Sequence, residues 1–129
     1  MKKFEFKKTY EEVEIAEKVF RIDLNDDKVF EYQESFNKYG KEMQEDSSSD
    51  IESFGKEEQK EFFDKQLQRI KEVIEIMLGK DSFEHIYEAS GRSIINLAEL
   101  VTYLSNLIGE KTVNIRDEKK KKYVNPGRK

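Results

Sequence analysis

The stretch "KEEQKEFFDKQLQRIKEVIEIMLG", residues 56–79, restricts the possible folds more than any other part of the chain. Phe63, Leu67, Ile70, Ile74 and Met77 recur at steps of 4, 3, 4 and 3, with Val73 and Leu78 on the same side. That spacing is one face of an α-helix, and Gly79 stands where a left-handed C-cap belongs. A stripe of this kind needs apolar surface to cover it, and the next thirty residues offer some. Asp81-x-x-Glu84 resembles a capping box opening a short helix with Phe83, Ile86 and Tyr87 inward, and Gly91 ends it. Ser93 is expected to cap a last helix carrying Ile94, Leu97, Val101, Leu104 and Ile108, widened by Ala98, Leu100 and Leu107 and stopped by Gly109. Three helices with broad apolar faces are predicted to pack on one another, each buried Leu- or Phe-sized side chain contributing roughly 1.5–3 kcal/mol.

The start of the chain has a different period. In "KKFEFKK", Phe4 and Phe6 alternate with charges, as in a strand with one buried face. "VEIAEKVFRIDL" places Val13 and Ile15 on one face and Phe20, Ile22 and Leu24 on another, around a turn at Ala16-Glu17-Lys18. The period then returns to helical. Asn25 is a candidate N-cap, Asp26 and Asp27 suit a helix N-terminus, and Val29, Tyr32, Phe36, Tyr39 and Met43 form an aromatic stripe. The expected fold is α+β: a small N-terminal antiparallel hairpin or sheet, then a mainly helical bundle of about four helices. Residues 1–109 are read as one domain: β element 1–25, amphipathic helix 26–45, polar linker 46–59 and helical core 60–109. Residues 110–129 are read as a basic flexible tail.

Charge narrows the function. Asp, Glu, Lys and Arg make up 40% of the 129 residues, and the net charge is −4. Residues 26–59 hold 4 basic and 11 acidic groups, whereas 110–129 hold 8 and 3, including Lys119 to Lys122. An acidic middle disfavours nucleic acid as a partner, leaving the tail as the one segment suited to phosphates. The chain has no cysteine, which excludes disulfides and thiolate chemistry. No apolar run approaches signal-peptide or membrane-span length, so a soluble cytoplasmic protein is expected.

Few residues can carry chemistry. Asp81, His85 and Glu88 fall at i, i+4 and i+7 of the short helix, where they could hold a divalent metal; the competing reading makes Asp81 a cap and His85 a surface residue. Gly91-Arg92-Ser93 reads either as an anion site or as a corner between helices. The corner is preferred, because neither G-x-x-x-x-G-K-[ST] nor G-x-G-x-x-G is present. No catalytic residue, metal ligand, cofactor or small-molecule substrate is assigned. The stripe Tyr32, Phe36, Tyr39 and Met43 either packs on the core or, swinging on its linker, binds a partner.

The order of elements, with "IKEVIEIMLGKDSFEHIYEASGRSIINLAELVTYLSNLI" at its centre, resembles the small tail assembly chaperones of long-tailed phages and prophages of Gram-positive bacteria. The likeness is carried by Ile74 and Leu78 before Gly79, Phe83 and Ile86, Gly91-Arg92-Ser93, then Leu97, Leu100 and Tyr103, with "FEFKKTYEEVEI…FRIDL" as the family's β start. It implies a non-enzymatic role in phage tail assembly: binding the tape measure protein, with the tail tube protein as a further candidate partner, in the host cytoplasm and outside the mature virion. It also implies a longer form made by ribosomal slippage near Lys119 to Lys122. The expected contacts are Tyr32, Phe36, Tyr39, Met43, Val101, Leu104 and Ile108, with homo-oligomerisation left open. The alternative is a small acidic regulatory adaptor that binds a host protein or mimics nucleic acid.

Overall fold

The computed structural model describes the backbone of residues 1–48 and 50–124 and the side chains of residues 1–48 and 50–111. An N-terminal antiparallel hairpin is followed by four helices, an α+β fold as the periodicities predict. Strand β1 (Tyr10–Ile15) pairs with β2 (Lys18–Asp23), with Val13 opposite Phe20 and Glu11 opposite Ile22. This register gathers Val13, Phe20 and Ile22 on one buried face, where period-2 alternation alone gives two separate apolar sets. Leu24 N–H donates to Thr9 O at 2.8 Å and closes the ladder.

The hairpin turn is two residues long, one fewer than expected. Ala16 and Glu17 have φ of 53° and 68°, the signature of a type I′ turn, which matches strand twist but favours an asparagine followed by a glycine. Each left-handed residue with a Cβ costs roughly 1–2 kcal/mol. The double substitution Ala16→Asn with Glu17→Gly is therefore expected to stabilise the protein by about 1 kcal/mol and raise Tm by a few degrees. Calorimetry finding no gain would contradict the turn assignment.

Helix α1 (Asp26–Ser47) starts at the expected cap, with Asn25 Oδ1 accepting from Lys28 N–H at 3.0 Å. Its stripe turns inward: Tyr32 is buried, and Phe36 and Tyr39 pack against the core. Two features hold α1 to α2 (Lys56–Leu78), so of the two fates that the sequence left open for the stripe this fold shows the packed one. Arg69 of α2, with its side chain 13% exposed, reaches Glu42 at 3.3 Å and also bonds Asp46 near the end of α1. The predicted linker is also short, because α1 runs to Ser47 and a single 3₁₀ turn (Ile51–Ser53) precedes α2. The first turns of α2 overhang the core: Phe63 is 40% exposed, and Phe62 meets Phe54 edge-on.

Helix α3 (Phe83–Ala89) buries Phe83, Ile86 and Tyr87 as its spacing predicts. The predicted Asp81 capping box is absent. Ser82 is the N-cap residue, and its buried hydroxyl donates back to Gly79 O at 2.7 Å. Gly79 itself has φ 112° and ψ 154°, so it leaves the helix extended and not in the left-handed helical conformation. Gly91 does form the expected left-handed cap. Its N–H donates to Glu88 O and that of Arg92 to Tyr87 O, the paired bonds of a Schellman motif.

Helix α4 (Ile94–Val124) opens at Ser93, whose Oγ accepts from Asn96 N–H. It buries Leu97, Val101, Leu104 and Ile108 in the core and packs against α2 and α1. Gly109 does not stop it. One glycine costs a helix about 1 kcal/mol, and the following sequence is rich in Glu, Lys and Arg, with proline only at 126. The tail expected to be flexible is thus helical over 110–124; Asn125-Pro126-Gly127 and the last two residues lie outside the described residues.

Candidate functional site

Each residue expected from sequence to contact a partner has a definite place. Tyr32, Val101, Leu104 and Ile108 are between 0% and 3% exposed and belong to the closed core. In this conformation all four pack in the closed core, whereas the sequence reading placed them among the partner contacts. Phe36, Tyr39 and Met43 are half-buried on α1, with Phe36 and Tyr39 packed against the core. The physical reason is common to all seven. Helical periodicity identifies an apolar face but not what covers it, and here each face is taken by a neighbouring helix or the hairpin.

Burial leaves a mark on the tyrosines. The Tyr32 hydroxyl is pushed up to about 12, first by desolvation and then by the nearby charges of Asp23 and Glu31, while the Asp23 backbone hydrogen bond pulls it down. Tyr39 is raised by burial alone.

The corner that contains the one histidine is structural in its geometry. His85 is exposed on α3, and among the described residues no His, Asp and Glu side chains gather into a metal-holding group. Arg92 lies beyond the Gly91 cap with φ 53°, its guanidinium 4.6 Å from the Tyr87 ring centre and hydrogen-bonded to Glu88. Glu88 raises the Arg92 pKa. Asn96 Nδ2 donates to Ser90 O at 2.8 Å, and Ser90 Oγ accepts from Ser93 N–H, so the turn into α4 is tied on both sides. This arrangement leaves Arg92 engaged with Tyr87 and Glu88 of α3.

Of the open hollows on the surface, two lie beside the elements described above. One, about 410 Å³, lies between α1 and α2 and is lined by Glu31, Glu34, Lys38, Tyr39, Glu72 and Ile76, among others. Lys38 stands 3.9 Å from Glu72 across it. The other, about 380 Å³, runs from Ile15 at the hairpin tip to Ile86 and Ala89 on α3 and to Leu97 and Leu100 on α4. Among the described residues no helix is long and apolar enough to cross a membrane.

What the surface does present is large apolar side chains. Phe4, Phe6, Phe30, Ile95 and Tyr103 are each more than half exposed, and Ile76 is 37% exposed beside the α1–α2 hollow. Sequence reasoning does not single out Phe30 and Ile95 as exposed apolar residues, although the signal is present: each sits one position off its helix's apolar stripe, next to Val29 or Ile94. These side chains are apolar surface that no core stripe absorbs. Comparisons with protein-family models, with curated proteins and with solved structures returned no match.

Proposed function

We propose that this protein is a non-enzymatic phage tail assembly chaperone that keeps a tape measure protein soluble before the tail tube forms around it. The reading is supported by the sequence resemblance over residues 74–103 and carried by one structural observation: with the core closed, Phe30, Ile95 and Tyr103 remain 65%, 71% and 53% exposed on a heavily charged surface. A long helical client with uncovered apolar faces needs such contacts, and the surrounding charges keep the complex dispersed. The contact surface is thus the exposed flank of α4 and the start of α1, with the buried Val101, Leu104 and Ile108 as its support.

Co-expression with a helical tape measure fragment tests this. The fragment is expected in the soluble fraction with the wild-type protein. With Phe30→Glu, Ile95→Glu and Tyr103→Glu combined, soluble client should fall on the order of tenfold while the chaperone's circular dichroism is unchanged. A client that stays in the pellet with wild type, or stays soluble with the triple variant, would refute the assignment. Salt separates the acidic-adaptor alternative, since electrostatic mimicry weakens steeply toward physiological ionic strength and apolar capture does not.

A further inference from the structure

Residues 2–8 carry the alternation of a strand yet form none. The cause lies in the topology. The ladder closes at Thr9–Leu24, and the chain then enters α1 at Asp26, so no strand stands opposite residues 2–8. Phe4 and Phe6, edge-on to one another at 4.9 Å, are 78% and 89% exposed. The sheet has a matching gap. Among the described residues it contains two strands, so the outer edge of β1 has no ladder partner. Helix α4 passes beneath β1, because Lys111 lies 3.5 Å from Glu11 and the second hollow joins Ile15 to Leu97 and Leu100. On that helix Leu100 and Leu107 are half-buried and Tyr103 is exposed, so apolar surface remains uncovered near this edge. Charge is complementary as well: the arm carries Lys2, Lys3, Lys7 and Lys8, and β1 carries Glu11, Glu12 and Glu14.

We infer that residues 2–8 of one copy add as an antiparallel strand to the free edge of β1 in a second copy. With Phe6 opposite Val13 and Phe4 opposite Ile15, both rings turn toward α4, Lys7 faces Glu12 and Lys8 faces Glu11. Glu5 opposite Glu14 is the one like-charge pair, and Lys3 lies diagonal to Glu14. Folding back within one chain is disfavoured. A two-residue turn at Lys8-Thr9 would set Phe6 against Glu11 and Glu5 against Glu12, and Thr9 O already serves the hairpin ladder.

Sedimentation velocity of the full chain tests the inference without any client. Concentration-dependent self-association is expected, weakened on the order of 100-fold by Phe4→Ala with Phe6→Ala. Thermal unfolding of the dilute protein should not change. Glu12→Lys should weaken association and Lys7→Glu added to it should restore it. In mixed labelled and unlabelled samples, nuclear Overhauser contacts from the Phe6 ring should reach Val13 of the other copy. A chain that stays monomeric, association indifferent to the phenylalanines, or Phe6–Val13 contacts confined to one molecule would overturn it.

Discussion

Leu104→Ala is expected to lower the free energy of unfolding by about 2–5 kcal/mol, and Leu104→Glu to abolish the folded state. Leu104 is 0% exposed and sits in the core with Ile74 and Leu97, also 0% exposed. Truncation removes three carbons from a fully buried site in the core cluster, and the surrounding side chains collapse only in part around the space. A glutamate there would place a charge in an apolar core without water to solvate it. A domain of this size has a total stability of only about 5–15 kcal/mol, so the alanine variant already forfeits a large share. Urea titration measures this through the midpoint, with the m-value unchanged. Tyr103→Glu, one residue away and outward-facing, should move the midpoint by no more than about 0.5 kcal/mol. If Leu104→Ala cost less than its exposed neighbour, the closed core described above would be wrong. The contrast also governs how client binding is tested, because loss of binding in Leu104→Glu would report unfolding and not contact.

The second large effect is alkaline. A hydroxyl whose folded pKa is raised binds its proton more tightly in the native state, so its contribution is intact below the unfolded value near 10 and is lost as pH rises toward 12. The slope is about 1.4 kcal/mol per pH unit, which amounts to roughly 2–3 kcal/mol for Tyr32 by pH 12. Tyr39 adds a loss of the same sign. Tyr32→Phe removes the ionisable group and keeps the ring, so urea midpoints of wild type and variant should diverge between pH 10 and 12, the variant falling less. Parallel curves across that window would show that Tyr32 is not sealed between α1 and the hairpin.

How far the sequence is legible varies with the range of the forces involved. The Asn25 cap, the Ser93 cap, the left-handed Gly91 and the inward faces of α3 and α4 rest on interactions within one or two turns, and residue types announce those directly. Expectation and structure part where a local preference meets a distant neighbour. Gly79 caps α2 with positive φ, as its position announces, but its ψ of 154° takes the chain away from the left-handed helical region. Gly109 has the position of a stop, but the helix formers that follow outweigh one glycine. Phe63 fits the core stripe only because the periodicity of α2 outlasts the core itself.

The candidate contacts divide along the same line. Spacing alone determined that Tyr32, Phe36, Val101, Leu104 and Ile108 lie on apolar helix faces, since the side-chain direction of each follows from its own helix. Only the tertiary structure decided that these faces meet one another, because burial depends on which surfaces are brought together across the chain. Arg69 holding Glu42 and Asp46 fastens α1 to α2, and the close of the ladder at Thr9 strands the Phe4–Phe6 arm. Neither is written in any short stretch, since each pairs residues that the fold alone makes neighbours.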